Sequence, residues 1–284
     1  MSKIPTTQFL TGFNVKPSSI SPIGTVTFTD GTNDLTPNQI QCEAYGYIYN
    51  KVTRTCSAFK YSSNLDRNIS NINNKINGAG NTTLPNTDNT YIIGQKNTVQ
   101  GDSTNNIVVG TQNEIANGVS NANVYGTLGE ATADNSIVLG GNVSADLLGE
   151  RQSIQVIYGT QTTNGTNTVS YLNNTTDQLL AVPENSAMYF HADVIALRVG
   201  GTGTGNLGDY ASWVERGVII NESGTLSINR ERDAIKSNGT VSNWQPTGIA
   251  SGTNFAMRVR GATDVTIEWC SNITFTQIKT SVAL

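Results

Sequence analysis

Between Asn89 and Gly140 the chain repeats one phrase, a short apolar run closed by glycine. It reads Asn89-Thr90-Tyr91-Ile92-Ile93-Gly94, Asn105-Asn106-Ile107-Val108-Val109-Gly110, Asn121-Ala122-Asn123-Val124-Tyr125-Gly126 and Asn135-Ser136-Ile137-Val138-Leu139-Gly140. Gly94, Gly110, Gly126 and Gly140 are separated by 16, 16 and 14 residues. A near-constant period with one β-branched run per unit predicts a β-roll or solenoid. Each turn of such a stack is too small to bury its own apolar face and relies on its neighbours. The four glycines are expected at the repeat turns.

Upstream, Leu65, Ile69, Ile72 and Ile76 are spaced 4, 3 and 4 with polar residues between them. That is the narrow seam of a coiled coil, and isoleucine at both seam positions favours three or four strands over two. A short trimeric coiled coil is therefore expected over residues 62–78. Residues 1–61 read as a small β unit. Thr25–Thr29 alternates, Asp30–Asp34 supplies a turn, and Tyr45–Tyr49 with Val52–Cys56 reads as a hairpin about Asn50-Lys51. The lead-in with Pro5, Pro17 and Pro22 fits equally an arm that wraps a partner and a frayed terminus.

From residue 150 to 284 the period changes to two. Val265, Ile267, Trp269, Ile273 and Phe275 fall on one face of a strand, with Thr266, Glu268, Cys270, Asn272 and Thr274 on the other. Further strands are expected over Gln152–Tyr158, Thr168–Leu172, Leu179–Val182, Ala187–Val199, Trp213–Ile220 and Phe255–Val259, divided by turns rich in Gly and Asn. This spacing predicts an antiparallel β-sandwich of jelly-roll type. The fold class is thus mainly β: an N-terminal unit (1–61), a coiled coil (62–78), β-roll repeats (79–149) and a C-terminal sandwich (150–284).

Charged residues make up only 13% of the 284, against about a quarter in ordinary globular proteins. Polar neutral side chains and 28 glycines suit turn-rich β structure. The net charge of −4 gives no reason to bind nucleic acid. The N-terminal residues lack a signal-peptide core, and no run approaches 18 apolar residues, so the expectation is a chain made in a cytoplasm with no membrane insertion. Cys42, Cys56 and Cys270 have no metal-type spacing. Cys42 and Cys56 leave two states open, a disulfide or the reduced thiols that are the default inside a cell.

No catalytic set stands out. The sole histidine, His191, shares a strand face with Asp193, and Ser212 is a conceivable third member, but a strand histidine among aromatics is expected to be a packed one. Glu215, Glu222, Glu231, Asp233 and Glu268 are the C-terminal carboxylates from which a glycosidase pair would come, and nothing singles out two of them. Gly200–Gly205 lacks the Lys-Ser/Thr of a phosphate loop and reads as a flexible loop. No metal, cofactor or enzymatic activity is expected. Trp244 and Tyr210, beside loops, are the candidates to stack on a sugar ring, with packing as the alternative for both.

The phrase ending Asn135-Ser136-Ile137-Val138-Leu139-Gly140 resembles the head repeats of trimeric autotransporter adhesins. That resemblance implies a parallel β-roll trimerising about a shared axis. The order Leu180-Ala181-Val182-Pro183-Glu184-Asn185-Ser186-Ala187, a Gly-rich loop, Gly217-Val218-Ile219-Ile220, Asn243-Trp244, Met257–Gly261 and the Thr266–Trp269 strand is similar to a C-terminal β-domain of bacteriophage tail and fibre proteins. It implies a virion appendage. The expected protein is a homotrimeric phage fibre, bound to other virion proteins by its N-terminal unit and to a host glycan by its C-terminal domain. A purely structural head-fibre, collar or baseplate role is the main rival, and a polysaccharide depolymerase a third class.

Overall fold

Two units, Met1–Arg67 and Asn68–Leu284, divide the chain in the computed structural model, which describes residues 15–21, 24–58, 73–143, 146–241 and 243–284. In the first unit β1 (Lys16–Ile20), β2 (Val26–Thr29) and β3 (Asp34–Leu35) form an antiparallel sheet. Alternation along β2 buries Val26 and Phe28. The turn after it is held by Asp30, whose Oδ1 accepts the N–H groups of Thr32 (2.8 Å) and Asn33 (2.7 Å). These donors hold the Asp30 carboxyl below its usual range, Asn33 most strongly.

Next comes a helix that the sequence reading missed, α1 (Gln39–Ala44). Its start was legible as a capping box: Asn38 Oδ1 accepts the Gln41 N–H and Gln41 Oε1 accepts the Asn38 N–H, both at 2.9 Å. The hairpin is present as β4 (Ile48–Asn50) and β5 (Thr55–Ser57). Its turn is wider than the two residues expected, because Asn50 Oδ1 draws in the N–H groups of Val52 and Thr53 and Arg54 adopts φ 55°. Cys42 on α1 and Cys56 on β5 are joined in a disulfide, so the default of reduced thiols does not hold. Tyr45 and Tyr47 meet Phe28 edge-on around it.

The repeats form a β-solenoid whose first two coils carry three short strands each and whose next two carry two. The coils contain β6 (Lys75–Asn77), β7 (Thr82–Thr83) and β8 (Thr87–Asp88), then β9 (Tyr91–Gln95), β10 (Thr98–Val99) and β11 (Ser103–Thr104). After these come β12 (Ile107–Thr111) and β13 (Glu114–Ile115), β14 (Asn123–Thr127) and β15 (Glu130–Ala131), and finally β16 (Ile137–Gly141). Pairing is parallel and in register: Ile92, Val108, Val124 and Val138 form one column, and Gly94, Gly110, Gly126 and Gly140 another. All four residues of the first column are fully buried, and Val99, Ile115 and Ala131 form a second buried column, so aliphatic side chains stack from coil to coil.

No coiled coil is seen among the described residues. Leu65, Ile69 and Ile72 lie outside them, and Ile76 is the middle residue of β6, in register with Ile92. It packs on the solenoid core as the start of that column. The seam spacing at Ile76 coincides with the first coil of the repeat, which the Asn89–Gly140 phrase alone did not reveal.

The turns are also not where the glycines are. Gly94 and Gly110 sit inside β9 and β12 with φ +134°, and a Cβ on either would lie within 2 Å of the carbonyl oxygen of the next glycine in the column. They permit close stacking. The corners are carried by left-handed residues in columns of their own: Asn73, Asn89, Asn105, Asn121 and Asn135 at one, Lys96, Gln112 and Leu128 at the next, Asn86 and Asp102 at the third. Asparagine predominates because its short side chain tolerates that conformation.

Inside the second corner runs a buried asparagine ladder. Asn97 and Asn113 each donate Nδ2 to the asparagine Oδ1 one coil earlier (3.0 and 3.2 Å) and to a glycine carbonyl, Gly110 or Gly126 (2.9 Å). Asn113 Oδ1 in turn accepts the Gly129 N–H at 2.8 Å. Every amide position is used, which is how a polar column sits in the core.

The last coil pairs antiparallel with β17 (Arg151–Thr162), and the sheet continues. The remaining strands are β18 (Asn167–Leu172), β19 (Leu180–Ala181), β20 (Ser186–Gly200), β21 (Tyr210–Glu222), β22 (Thr225–Ser237), β23 (Gln245–Ser251), β24 (Asn254–Arg260) and β25 (Thr266–Lys279). The long sheet runs β22-β21-β20-β25-β17-β16-β14-β12-β9-β6. Its order is not that of a jelly roll, and a sandwich is not confirmed. β18 pairs with both β17 and β24, so the strands over the inner face are hydrogen-bonded to the long sheet through β18.

Phe255 on β24 closes that inner face, with ring centroids 5.1 Å from both Phe190 and Phe275 and 5.9 Å from Tyr158. The Tyr158 hydroxyl donates to the Phe255 carbonyl (3.0 Å) and accepts the Leu180 N–H (2.9 Å). Burial pushes this phenol well above its usual range. Tyr158→Phe leaves both backbone groups unpartnered and is expected to cost about 2 kcal/mol in urea unfolding. It should also flatten the alkaline limb of stability. The neutral phenol's contribution is complete below the ordinary tyrosine value of 10.0 and fades as pH rises above it.

Candidate functional site

The alternation of β20 and β21 divides aromatic and polar residues between two faces. Phe190, Ala192, Trp213 and Ile219 point inward and are buried, whereas Tyr189, His191, Asp193 and Arg216 point outward. Strand register assembles the outer residues into rows. Thr276, Tyr189, Val218 and Asn229 lie side by side, and Thr274, His191, Arg216 and Glu231 form the adjacent row. The third row is Asn272, Asp193, Val214 and Asp233.

Arg216 is the centre of this patch. Its Nε contacts Glu231 Oε1 at 2.5 Å and its Nη2 contacts Asp233 Oδ2 at 3.2 Å. The Glu231 hydrogen bond and charge hold the guanidinium above its ordinary range. Beside it a surface hollow of about 540 Å³ is lined by Tyr189, Arg216, Gly217, Val218, Asn229, Arg230 and Glu231. An exposed ring edged by a cation, an amide and a carboxylate offers one apolar surface and several directional hydrogen-bonding groups, the mixture that fixes a polyhydroxylated ligand.

The residues singled out from sequence fare differently. Trp244 is 4% exposed and packs on Trp269 at 6.4 Å, so its ring lies in the core and not on a sugar-binding surface. Tyr210 opens β21 on the outer face and is partly exposed, with its backbone N–H bonded to Asn238 Oδ1. His191 is half-exposed with Nε2 3.3 Å from Asp193 Oδ1, and so is not the packed histidine expected. Ser212 pairs across from Ile195, away from His191, and its hydroxyl donates to the Lys236 carbonyl.

Among the carboxylates, Glu215 is fully buried, accepting the Gly248 N–H (2.9 Å) and facing Arg230 at 3.3 Å. Glu268 accepts from Gln161. Only Glu231 and Asp233 come together, and they share one arginine.

The Gly200–Gly205 segment is not a free loop. Arg198, 5% exposed, donates to the carbonyls of Gly200, Gly201, Gly203 and Thr204 at 2.9–3.2 Å and ties the segment to β20. The reading from sequence missed Tyr189, Arg216 and Asn229. Two signals were available: the Tyr189-x-His191-x-Asp193 alternation opposite Phe190 and Ala192, and the charged alternation Arg230-Glu231-Arg232-Asp233.

No family model matches the chain, and no curated protein matches it. Among solved structures it is similar to the Acinetobacter baumannii phage AM24 tailspike protein (8% identity, TM-score 0.26), covering 74% of this chain and 48% of that one. It is also similar to tailspike protein gp49 of Acinetobacter baumannii bacteriophage Fri1, described as a capsular polysaccharide depolymerase (8% identity, TM-score 0.24, 72% and 48% covered). A third is the tailspike protein of Acinetobacter phage vB_ApiP_P1 (12% identity, TM-score 0.25, 74% and 47% covered). The chain thus spans about half the length of the solved chains it matches. Because one of them is described as an enzyme, the expectation that this chain has no enzymatic activity is withdrawn. Among the described residues, no helix is long and apolar enough to cross a membrane.

Proposed function

We propose that this chain is a homotrimeric bacteriophage fibre or spike protein that attaches to a glycan on the host surface through the outer face of β20, β21 and β22. The observation that carries the reading is the hollow beside Tyr189, with Arg216, Asn229 and Glu231 at its edge. In this reading residues 1–61 hold other virion proteins, residues 79–149 are a stiff spacer, and residues 150–284 present the site. Three copies of a weak site on one particle give avidity that one copy lacks. The similarity of the repeats and of the C-terminal phrases to adhesin heads and phage fibres supports the virion setting.

The test is binding of the full chain to a panel of bacterial capsular and lipopolysaccharide glycans, by calorimetry. Tyr189→Ala and Arg216→Ala, both outward-facing, should each weaken binding at least tenfold, about 1.4 kcal/mol, with the melting temperature little changed. Unchanged affinity in both variants would rule out this face. Assaying reducing ends in the same mixtures reads hydrolysis directly. Absence of binding to every glycan and to host cells would favour a structural virion component.

A further inference from the structure

The first unit is small, and its core is smaller still. Four buried residues, Val26, Phe28, Cys42 and Cys56, make it up, with Val15, Tyr45, Tyr47, Tyr49 and Ala58 packed around them. Half of that core is the Cys42–Cys56 disulfide, whose two residues are 0% and 1% exposed. The β1–β3 sheet and the β4–β5 hairpin are joined by the Thr25–Ser57 bridge and by the Ala58 N–H on the Gly24 carbonyl. Between them α1 has six residues, too few to hold a helix in water. A two-stranded hairpin is at best marginal by itself.

We propose that the Cys42–Cys56 pair is a redox switch for the folding of the first unit, which is ordered as the disulfide and open as the dithiol. The bond ties α1 to β5 across 14 residues. A covalent link closing a loop of that size shifts a folding equilibrium by roughly two orders of magnitude. The unit is close to the size, about 40 residues, below which such links are usually needed. Reduction takes a small thiol such as glutathione. Its thiolate attacks one sulfur, forming a mixed disulfide and releasing the other cysteine as a thiolate that takes up a proton. A second glutathione frees the first cysteine and leaves as oxidised glutathione, so two electrons pass to the pair. Oxidation reverses both steps, with oxidised glutathione as the acceptor. Both sulfurs are enclosed in the folded unit, so exchange waits for the unit to open and the oxidised fold guards its own bond. In the function proposed above, the switch sets when residues 1–61 can hold virion proteins; that consequence rests on that reading, and the switch itself does not.

The experiment uses the full chain with Cys270→Ser, which removes the remaining, exposed thiol. It is equilibrated in glutathione buffers from oxidising to reducing. Alkylation counts the free thiols, and hydrogen exchange read by mass spectrometry follows each segment. Residues 24–58 should exchange at least tenfold faster over the same span of buffers in which Cys42 and Cys56 become alkylated. Residues 79–284 should not change, nor should tryptophan emission, since Trp213, Trp244 and Trp269 are the chain's three tryptophans. Cys42→Ala with Cys56→Ala should exchange like the reduced chain in every buffer. A dithiol chain that keeps the protection of residues 24–58 would overturn the switch. So would thiols that stay open to alkylation in the most oxidising buffer, or a loss of protection that spreads to residues 79–284.

Discussion

Gly110→Ala is expected to lower the stability of the solenoid by about 4 kcal/mol or more, at the upper end for a single substitution. Two causes act together. The residue has φ +134°, a conformation that costs a side chain roughly 1–3 kcal/mol. Its Cβ would also lie 1.9 Å from the Gly126 carbonyl oxygen and 2.9 Å from Asn113 Nδ2. Neither neighbour can yield without parting two coils, because Gly126 is stacked on Gly140 and Asn113 is locked in its ladder. Urea unfolding of the full chain reads the loss as a shift in midpoint. Gly118→Ala is the control: its φ is +75°, but its Cβ would meet open space, and about 1 kcal/mol is expected. Equal losses at the two sites would mean that coil contact does not govern stability.

Asn113→Ala should cost nearly as much, about 3–5 kcal/mol. The side chain donates to Asn97 Oδ1 and the Gly126 carbonyl and accepts the Gly129 N–H, all away from water. Alanine leaves the Gly126 carbonyl and the Gly129 N–H without this partner, at roughly 1–3 kcal/mol for each buried group left unmatched, whereas Asn97 Oδ1 keeps the Asn113 backbone N–H. Asn105→Ala, at an exposed corner with φ 58°, loses conformational tolerance and one solvent-exposed bond from its Nδ2 to Asn121 Oδ1, and should cost about 1 kcal/mol. The same unfolding midpoints decide between them. A small effect at Asn113 would show that water replaces the amide and that the ladder is not what joins the coils.

The parts of this fold that were legible from sequence are those in which one local period dominates. The Asn89–Gly140 repeat announced the solenoid because each coil brings one aliphatic residue to the column of Ile92, Val108, Val124 and Val138. The Val265–Phe275 alternation gave the faces of β25 correctly, with Ile267, Trp269, Ile273 and Phe275 buried. Ile76 was misread because three or four residues separate apolar positions both in a helical seam and at the boundary of a coil, and only register with Ile92 distinguishes them. Likewise the four glycines looked like turns, since sequence shows that a glycine is needed but not whether φ or crowding requires it. The outward patch of Tyr189, Arg216 and Asn229 is built from three strands whose order in the sheet no local pattern specifies. Trp244 was attractive beside a loop, yet only the position of Trp269 revealed that it is enclosed.

Each strand pairing in the repeat joins a residue to its equivalent one coil away, and this bears on how such a chain changes over evolution. Duplicating or excising one 16-residue segment returns every glycine, corner asparagine and ladder amide to its own column, so the rod lengthens or shortens by about 4.8 Å with no new interface to invent. The coil from Gly126 to Gly140 has 14 residues and still keeps β14 and β16 in register, so a shorter coil fits where its corners absorb the loss. Reach is therefore a digital variable in this architecture, adjustable by unequal recombination within the repeat while both flanking ends keep their sequences.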